Sequence, residues 1–114
     1  VRVRTKQIEL PLLVHVGDDD VDVVAFDLYP FRFVGVDADA VSWPPLLRLA
    51  RASHVQIGLD DDFEDDAVLV YSLSVPRGFL ADDATVARVV ETLCGFAEDH
   101  YDAVMKATGL VELG

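Results

Sequence analysis

The sequence predicts an α+β fold: an antiparallel sheet of about four or five strands, a short mid-chain helix and a long C-terminal helix. Three observations lead there. Apolar residues alternate with a period of two near the start and again from Val55 to Val75. The period becomes helical between Val86 and Val104, and Gly-, Pro- and Asp-rich turns separate the runs. At 114 residues the chain has the size of one domain, read as spanning 1–114.

In chain order, "VRVR" is read as a short strand. "KQIELPLLVHV" puts Ile8, Leu10, Leu12, Val14 and Val16 on one face, with Gln7, Glu9 and His15 largely on the other. Pro11 lies inside this run and has no N–H to give a ladder, so the strand is expected at an edge or bulged there. "GDDD" (Gly17 to Asp20) makes a turn. "VDVVAFDLYPFRFVGV" resumes extended structure, apolar on both faces between Val23 and Phe26, and Pro30 kinks or divides it. Phe26, Tyr29, Phe31 and Phe33 along this stretch offer a ligand-binding strip or part of the core, and are read as core.

"DADAVSWPPLLRLARAS" changes period. Asp39 or Ser42 caps a helix whose first turn holds Pro44 and Pro45, where missing N–H groups cost little. Leu46, Leu47, Leu49 and Ala50 form its apolar side, and it ends near Ser53. Val55, Ile57 and Leu59 then alternate with His54, Gln56 and Gly58 as a strand. Ala67, Leu69, Tyr71, Leu73 and Val75 share one face of the next strand. Only acidic residues separate the two, which predicts an antiparallel hairpin.

"PRG" (Pro76 to Gly78) closes the second strand. Asp82 or Asp83 caps the last helix, and Gly109 follows its end. Val86, Val89, Val90, Leu93, Phe96, Ala97, Tyr101 and Val104 give that helix a broad apolar stripe. Gly95 weakens it by about 1 kcal/mol relative to Ala and is expected where a neighbouring backbone comes close.

Charge bounds the partners. Acidic residues outnumber basic ones 21 to 9, for a net charge of -12. Such a surface is repelled by nucleic acid and by anionic membranes, and it attracts basic peptides or basic protein surfaces. No apolar run approaches the roughly 20 residues of a membrane-spanning helix. Cys94 is the only cysteine, which excludes an internal disulfide. With no leader-like start, this favours a reducing cytoplasm.

The densest charge is "DDDFEDD", Asp60 to Asp66. Counted as a calcium loop, it offers Asp60, Asp62 and Glu64 at the first ligand positions. Asp65 then stands where Gly is needed, and Tyr71 where the terminal Glu is needed. Both flanks are strands, so the EF-hand reading fails. What remains is a solvated hairpin tip or a looser divalent-cation site at Asp60, Asp62 and Glu64.

His15, His54 and His100 fall on three different elements, without zinc-like spacing. Cys94 and His100 point to different sides of their helix, so a nucleophile–base pair would need distant partners. No Gly-rich phosphate loop is present. The residues assign no catalytic side chain and no cofactor, and the chain is read as a non-enzyme.

One resemblance follows from element order between Ser42 and Ala107. A short leucine-rich helix ("PPLLRLARASH") leads to a strand with Gly ("VQIGLD"), an acidic hairpin and a second strand ("AVLVYSLSV"). "GFLADDATVARVVETLCGFAEDHYDAV" closes the series. This resembles the type III secretion chaperone-like fold, in particular its YbjN-like branch, whose last helix carries small and apolar residues ending near an aromatic, here Tyr101. The family unit usually begins with a helix, whereas this chain starts in extended-looking sequence.

The resemblance implies a small, non-enzymatic, chaperone-like or adaptor domain that binds protein or peptide partners, often as a homodimer. Trp43, Leu46, Leu47 and Leu49 are the expected contact surface, since Trp is enriched at interface centres. The competing role for Trp43 is anchoring the helix to the sheet. The alternative function is a regulatory domain that binds a divalent cation or small ligand near residues 60–66.

Overall fold

The computed structural model describes residues 2–4 (backbone only), 9–16, 22–31, 34–60 and 67–109. Along the chain run strands β1 (Arg2–Arg4), β2 (Glu9–Val16), β3 (Val23–Leu28) and β4 (Gly35–Val36), then helix α1 (Trp43–Ser53). Strands β5 (Gln56–Asp60) and β6 (Ala67–Pro76) follow, and helices α2 (Asp83–Asp99) and α3 (Tyr101–Thr108) complete the fold. The class is α+β, as expected. Among the described residues all strand pairs are antiparallel, and the sheet has six strands because two very short ones, β1 and β4, join it.

β6 is the hub. Val68 pairs with both Gly35 of β4 and Asp60 of β5, and Tyr71 pairs with both Leu28 of β3 and Ile57 of β5. A strand has only two edges, so β3 and β4 follow one another along one side of β6, and β5 takes the other. Between Leu28 and Gly35 that side spends residues 29–34, while β6 advances only through Leu69 and Val70. Pro30, in the turn after β3, divides the run into two strands as its sequence predicted.

Pro11 has a sharper effect. The Tyr29 N–H donates to its carbonyl at 3.1 Å. Pro11 has no N–H to return that bond, and the β2–β3 ladder begins at the next residue, Leu12, opposite Leu28. On the other edge β1 pairs with Glu9, Leu10 and Pro11 alone. Pro11 therefore sits where β2 exchanges one partner strand for the other, neither at an outer edge throughout nor on a bulge.

One face of the sheet carries the core. Leu10, Leu12, Val24, Phe26, Leu28, Leu69 and Tyr71 are buried there with Leu46 of α1, Val89, Leu93, Phe96 and Ala97 of α2, and Val104 and Ala107 of α3. The alternation expected for β6 holds: Leu69 and Tyr71 face the helices, and Leu73 and Val75 pack at the margin. On the opposite face Tyr29, Val68 and Val70 form a second, small buried cluster that no described helical residue joins.

α1 starts at Ser42, whose side chain makes no capping bond, with Pro44 and Pro45 in its first turn. Asp39 lies instead in a 3-10 turn, Ala38–Ala40, where its N–H donates to the Asp37 carboxylate at 3.1 Å. The helix ends at His54 in the left-handed region, φ 58°. Asp82 is the cap of α2, its carboxylate accepting the Thr85 N–H at 2.9 Å.

The single long helix expected at the C-terminus is bent. At His100 the backbone leaves helical values (φ -117°, ψ 13°), yet the ladder carries through it. The His100 N–H reaches the Phe96 carbonyl at 3.1 Å, and the Val104 N–H reaches the His100 carbonyl at 2.9 Å. The bend directs α3 against α1, where the Ser42 N–H donates to the Ala107 carbonyl at 2.7 Å. Tyr101 meets Phe31 at a ring separation of 5.5 Å. Buried Thr108 satisfies its hydroxyl by donating to the Val104 carbonyl at 2.9 Å.

Two positions carry a removable cost. A Cβ built on Gly95 meets nothing within 4 Å, so the close backbone approach expected there is absent. Gly95→Ala should raise stability by about 0.5–1 kcal/mol in chemical denaturation, through helix propensity alone. Tyr71 is fully buried, its ring stands edge-on to Phe96 at 4.8 Å, and its hydroxyl has no hydrogen-bond partner among the described residues. Burial also pushes the ionisation of that hydroxyl upward. Tyr71→Phe keeps the ring contact and removes an unpaired polar atom. It should stabilise the fold by about 1 kcal/mol, read as a higher melting temperature.

Candidate protein-contact surface

The mid-chain helix divides the residues expected to form a contact surface. Leu46 is wholly buried in the core and presents no surface to a partner. Trp43 and Leu49 are partly buried against that same core, which is the anchoring role weighed for Trp43. Leu47 alone turns outward, at 57% exposure. The apolar side of α1 is thus mostly consumed by the fold, because the hairpin and α3 both pack on it.

A different apolar surface stands open. The large exposed apolar side chains among the described residues are Leu13, Val14, Val16, Val34, Leu47 and Phe79, and half of these lie together on β2. Leu10 and Leu12 reach the core, whereas Val14 is 45% and Val16 66% exposed, although their partners on β3, Phe26 and Val24, are buried. β1 stops at Arg2, opposite Pro11. Beyond Leu12, the outer edge of β2 has no strand partner among the described residues.

Which backbone groups that edge offers follows from alternation. The Pro11 carbonyl points to the β3 side, where Tyr29 donates to it. Residues 13 and 15 share that direction, so Val14 and Val16 turn their N–H and C=O groups outward. The stretch from Leu10 to Val16 contains no charged residue, although the chain is strongly acidic. Protected edges carry Lys, Pro or inward charges; this one has none past Pro11.

The helix-free face holds a polar track that no sequence motif announced. His15 Nε2 lies 2.9 Å from Asp27 Oδ2, and the Ser72 hydroxyl donates to Asp27 Oδ1 at 2.7 Å. Register creates it: His15 is opposite Ala25, two residues from Asp27, and Asp27 is opposite Ser72. The carboxylate is the middle member and takes both bonds. In a serine nucleophile triad the histidine holds the middle place and receives the serine proton. This arrangement ties β2, β3 and β6 together and leaves Ser72 bonded to a carboxylate.

Of the acidic candidates, Asp60 ends β5 and accepts the Tyr29 hydroxyl at 2.8 Å. Asp62 and Glu64 lie outside the described residues. Among the described residues no group of three or more His, Cys, Asp or Glu side chains could hold a metal ion. Cys94 is half-buried, and burial together with the Glu98 carboxylate pushes its thiol up, away from the reactive thiolate. His100 packs against Phe96 at a ring separation of 4.8 Å. No described helix is long and apolar enough to cross a membrane.

The described residues form an α+β fold with one helix-covered sheet face and an exposed apolar group on β2. No protein-family model, curated protein or solved structure matches the chain.

The split within α1 has a direct readout. Leu46→Ala should cost about 2–5 kcal/mol, as for other wholly buried leucines. Leu47→Ala should stay within about 0.5 kcal/mol of the parent. Equilibrium urea unfolding of both variants measures the contrast, and equal losses would contradict the assignment of Leu46 to the core and Leu47 to the surface.

Proposed function

We propose that this chain is a non-enzymatic, chaperone-like or adaptor domain that acts by contact with protein or peptide partners, as a homodimer. The observation that supports this reading is the outer edge of β2, where Val14 and Val16 expose their side chains and their outward backbone groups meet no strand among the described residues. Strand addition to such an edge gives affinity through main-chain bonds and needs no preformed pocket. The resemblance over Ser42 to Ala107 points to the same kind of protein. The acidic surface selects among clients by favouring basic, extended segments.

A panel of fluorescein-labelled extended peptides of graded positive charge tests the client side of this reading. Fluorescence polarisation should rise with the more basic members, and added salt should weaken the binding because it screens opposite charges. Uniform absence of binding across the panel at low salt, with no effect of the protein on aggregation of an unfolded model client, would remove the reading.

A further inference from the structure

We infer that the outward side of α1, built on Leu47, Arg48 and Arg51, docks an acidic peptide segment of a partner protein. This goes beyond the basic-client reading: it concerns the opposite charge on another element, and neither depends on the other.

The acidity of the chain stops at α1. Residues 40–59 hold no Asp or Glu, the longest such run in a chain where 21 of 114 residues are acidic. The whole stretch lies among the described residues, from the 3-10 turn through α1 and along β5. α1 carries Arg48 and Arg51 and no carboxylate, so it is a positively charged element on a chain of net charge -12.

Packing decides which way that charge points. Leu46 is wholly buried, and Trp43, Leu49, Ala50 and Ser53 are half-buried on its side of the helix. The helical repeat then leaves Pro44, Leu47, Arg48, Arg51 and Ala52 on the opposite side, and all five are exposed. Arg51 is four residues from Leu47 and three from Arg48, so the three side chains share one patch. Neither guanidinium has an ion-pair partner among the described residues, whereas Arg77 lies 3.6 Å from Asp22. Arg51, in the last turn, also suits the negative end of the helix. Arg48 is nearly a turn earlier and has no such role. The Ala107 carbonyl meets the helix at Ser42, ahead of these turns.

Charge complementarity selects the occupant. Two guanidiniums beside an exposed leucine match carboxylates that flank an apolar side chain, since a guanidinium offers a carboxylate two parallel N–H donors. At physiological salt, charges farther than about 8 Å are largely screened, so a short segment responds to the local arginines more than to the total charge. A nucleic acid extends its charge much farther, about one per 1.7 Å of duplex, and would lie against the acidic remainder of the chain. A second copy joined about a two-fold axis through α1 would set arginines against arginines.

The test uses the full chain and a fluorescein-labelled peptide of repeating Glu-Glu-Leu, with a Gln-Gln-Leu peptide of equal length as control. Fluorescence polarisation at physiological salt should show saturable binding of the first and none of the second. Arg48→Glu should weaken that binding about tenfold, because it removes one attraction and adds one repulsion. Arg51→Gln and Leu47→Ala should each weaken it a few-fold. Arg88→Glu, the same charge change at an exposed position on α2, should leave it unchanged. Circular dichroism of each variant should match the parent, since all four positions are exposed.

No saturable binding of the Glu-containing peptide, or an equal loss in Arg88→Glu and Arg48→Glu, would overturn the inference. Tighter binding of labelled oligouridylate through the same two arginines would replace the peptide by a nucleic acid. Self-association by sedimentation that Arg48→Glu abolishes, without peptide binding by the parent, would give this helix side to a second copy. In each of these outcomes the basic-peptide panel still decides the client reading by itself.

Discussion

β6 is paired along both edges and buried on both faces, and the placement of the other elements follows from that. Val68, Leu69, Val70 and Tyr71 are buried in succession, so alternation of the strand sends Leu69 and Tyr71 to the helices and Val68 and Val70 to Tyr29. A strand so placed accepts neither proline nor charge in its middle. "AVLVYSLSV" has neither, and Pro76 comes only at the last rung, opposite Val23. The hairpin partner β5 fixes where α1 must end, and the 3-10 turn Arg77–Leu80 after β6 fixes where α2 begins. Arg77 ties that turn to β3 through its N–H, which donates to the Asp22 carbonyl at 2.9 Å.

Pro11 shapes the other side of the sheet by omission. A residue with an N–H at this position would return the bond from Tyr29 and extend the β2–β3 ladder by one rung. Proline accepts without donating, so the β2–β3 ladder begins one rung later, at Leu12 opposite Leu28. Leu10 and Leu12 flank that position in the core, while Val14 and Val16 continue the same face and are exposed, although Phe26 and Val24 opposite them on β3 are buried. Apolar alternation in a strand therefore does not by itself mean burial. It records which side faces the helix layer, and position across the sheet decides how far that side is covered.

Much of this architecture was legible from residue order. Period-two runs located the strands, Pro30 divided β3 from β4, Ser42 and the two prolines opened α1, and Gly109 closed the last helix in the left-handed region. The bend at His100 was not legible, because the apolar stripe runs through Phe96, Ala97, Tyr101 and Val104 without a break. Only contact of α3 with α1 requires the change of direction. The fate of α1 was half legible. A run of leucines marks an apolar helix side, but the split between buried Leu46 and exposed Leu47 depends on how the helix is rotated against its neighbours. The track of His15, Asp27 and Ser72 was invisible for a stronger reason. Its members are far apart in sequence and meet only through strand register, which no local pattern encodes.

Charge distribution says more about contact than total charge does. Spread over a surface, an excess of 21 acidic over 9 basic residues keeps copies of the chain apart and draws basic segments in. A strand segment without Asp, Glu, Lys or Arg, Leu10 to Val16, interrupts that field, and its outer side past Leu12 meets no strand among the described residues. Proteins usually blunt such edges, since any extended chain of suitable length can add to them.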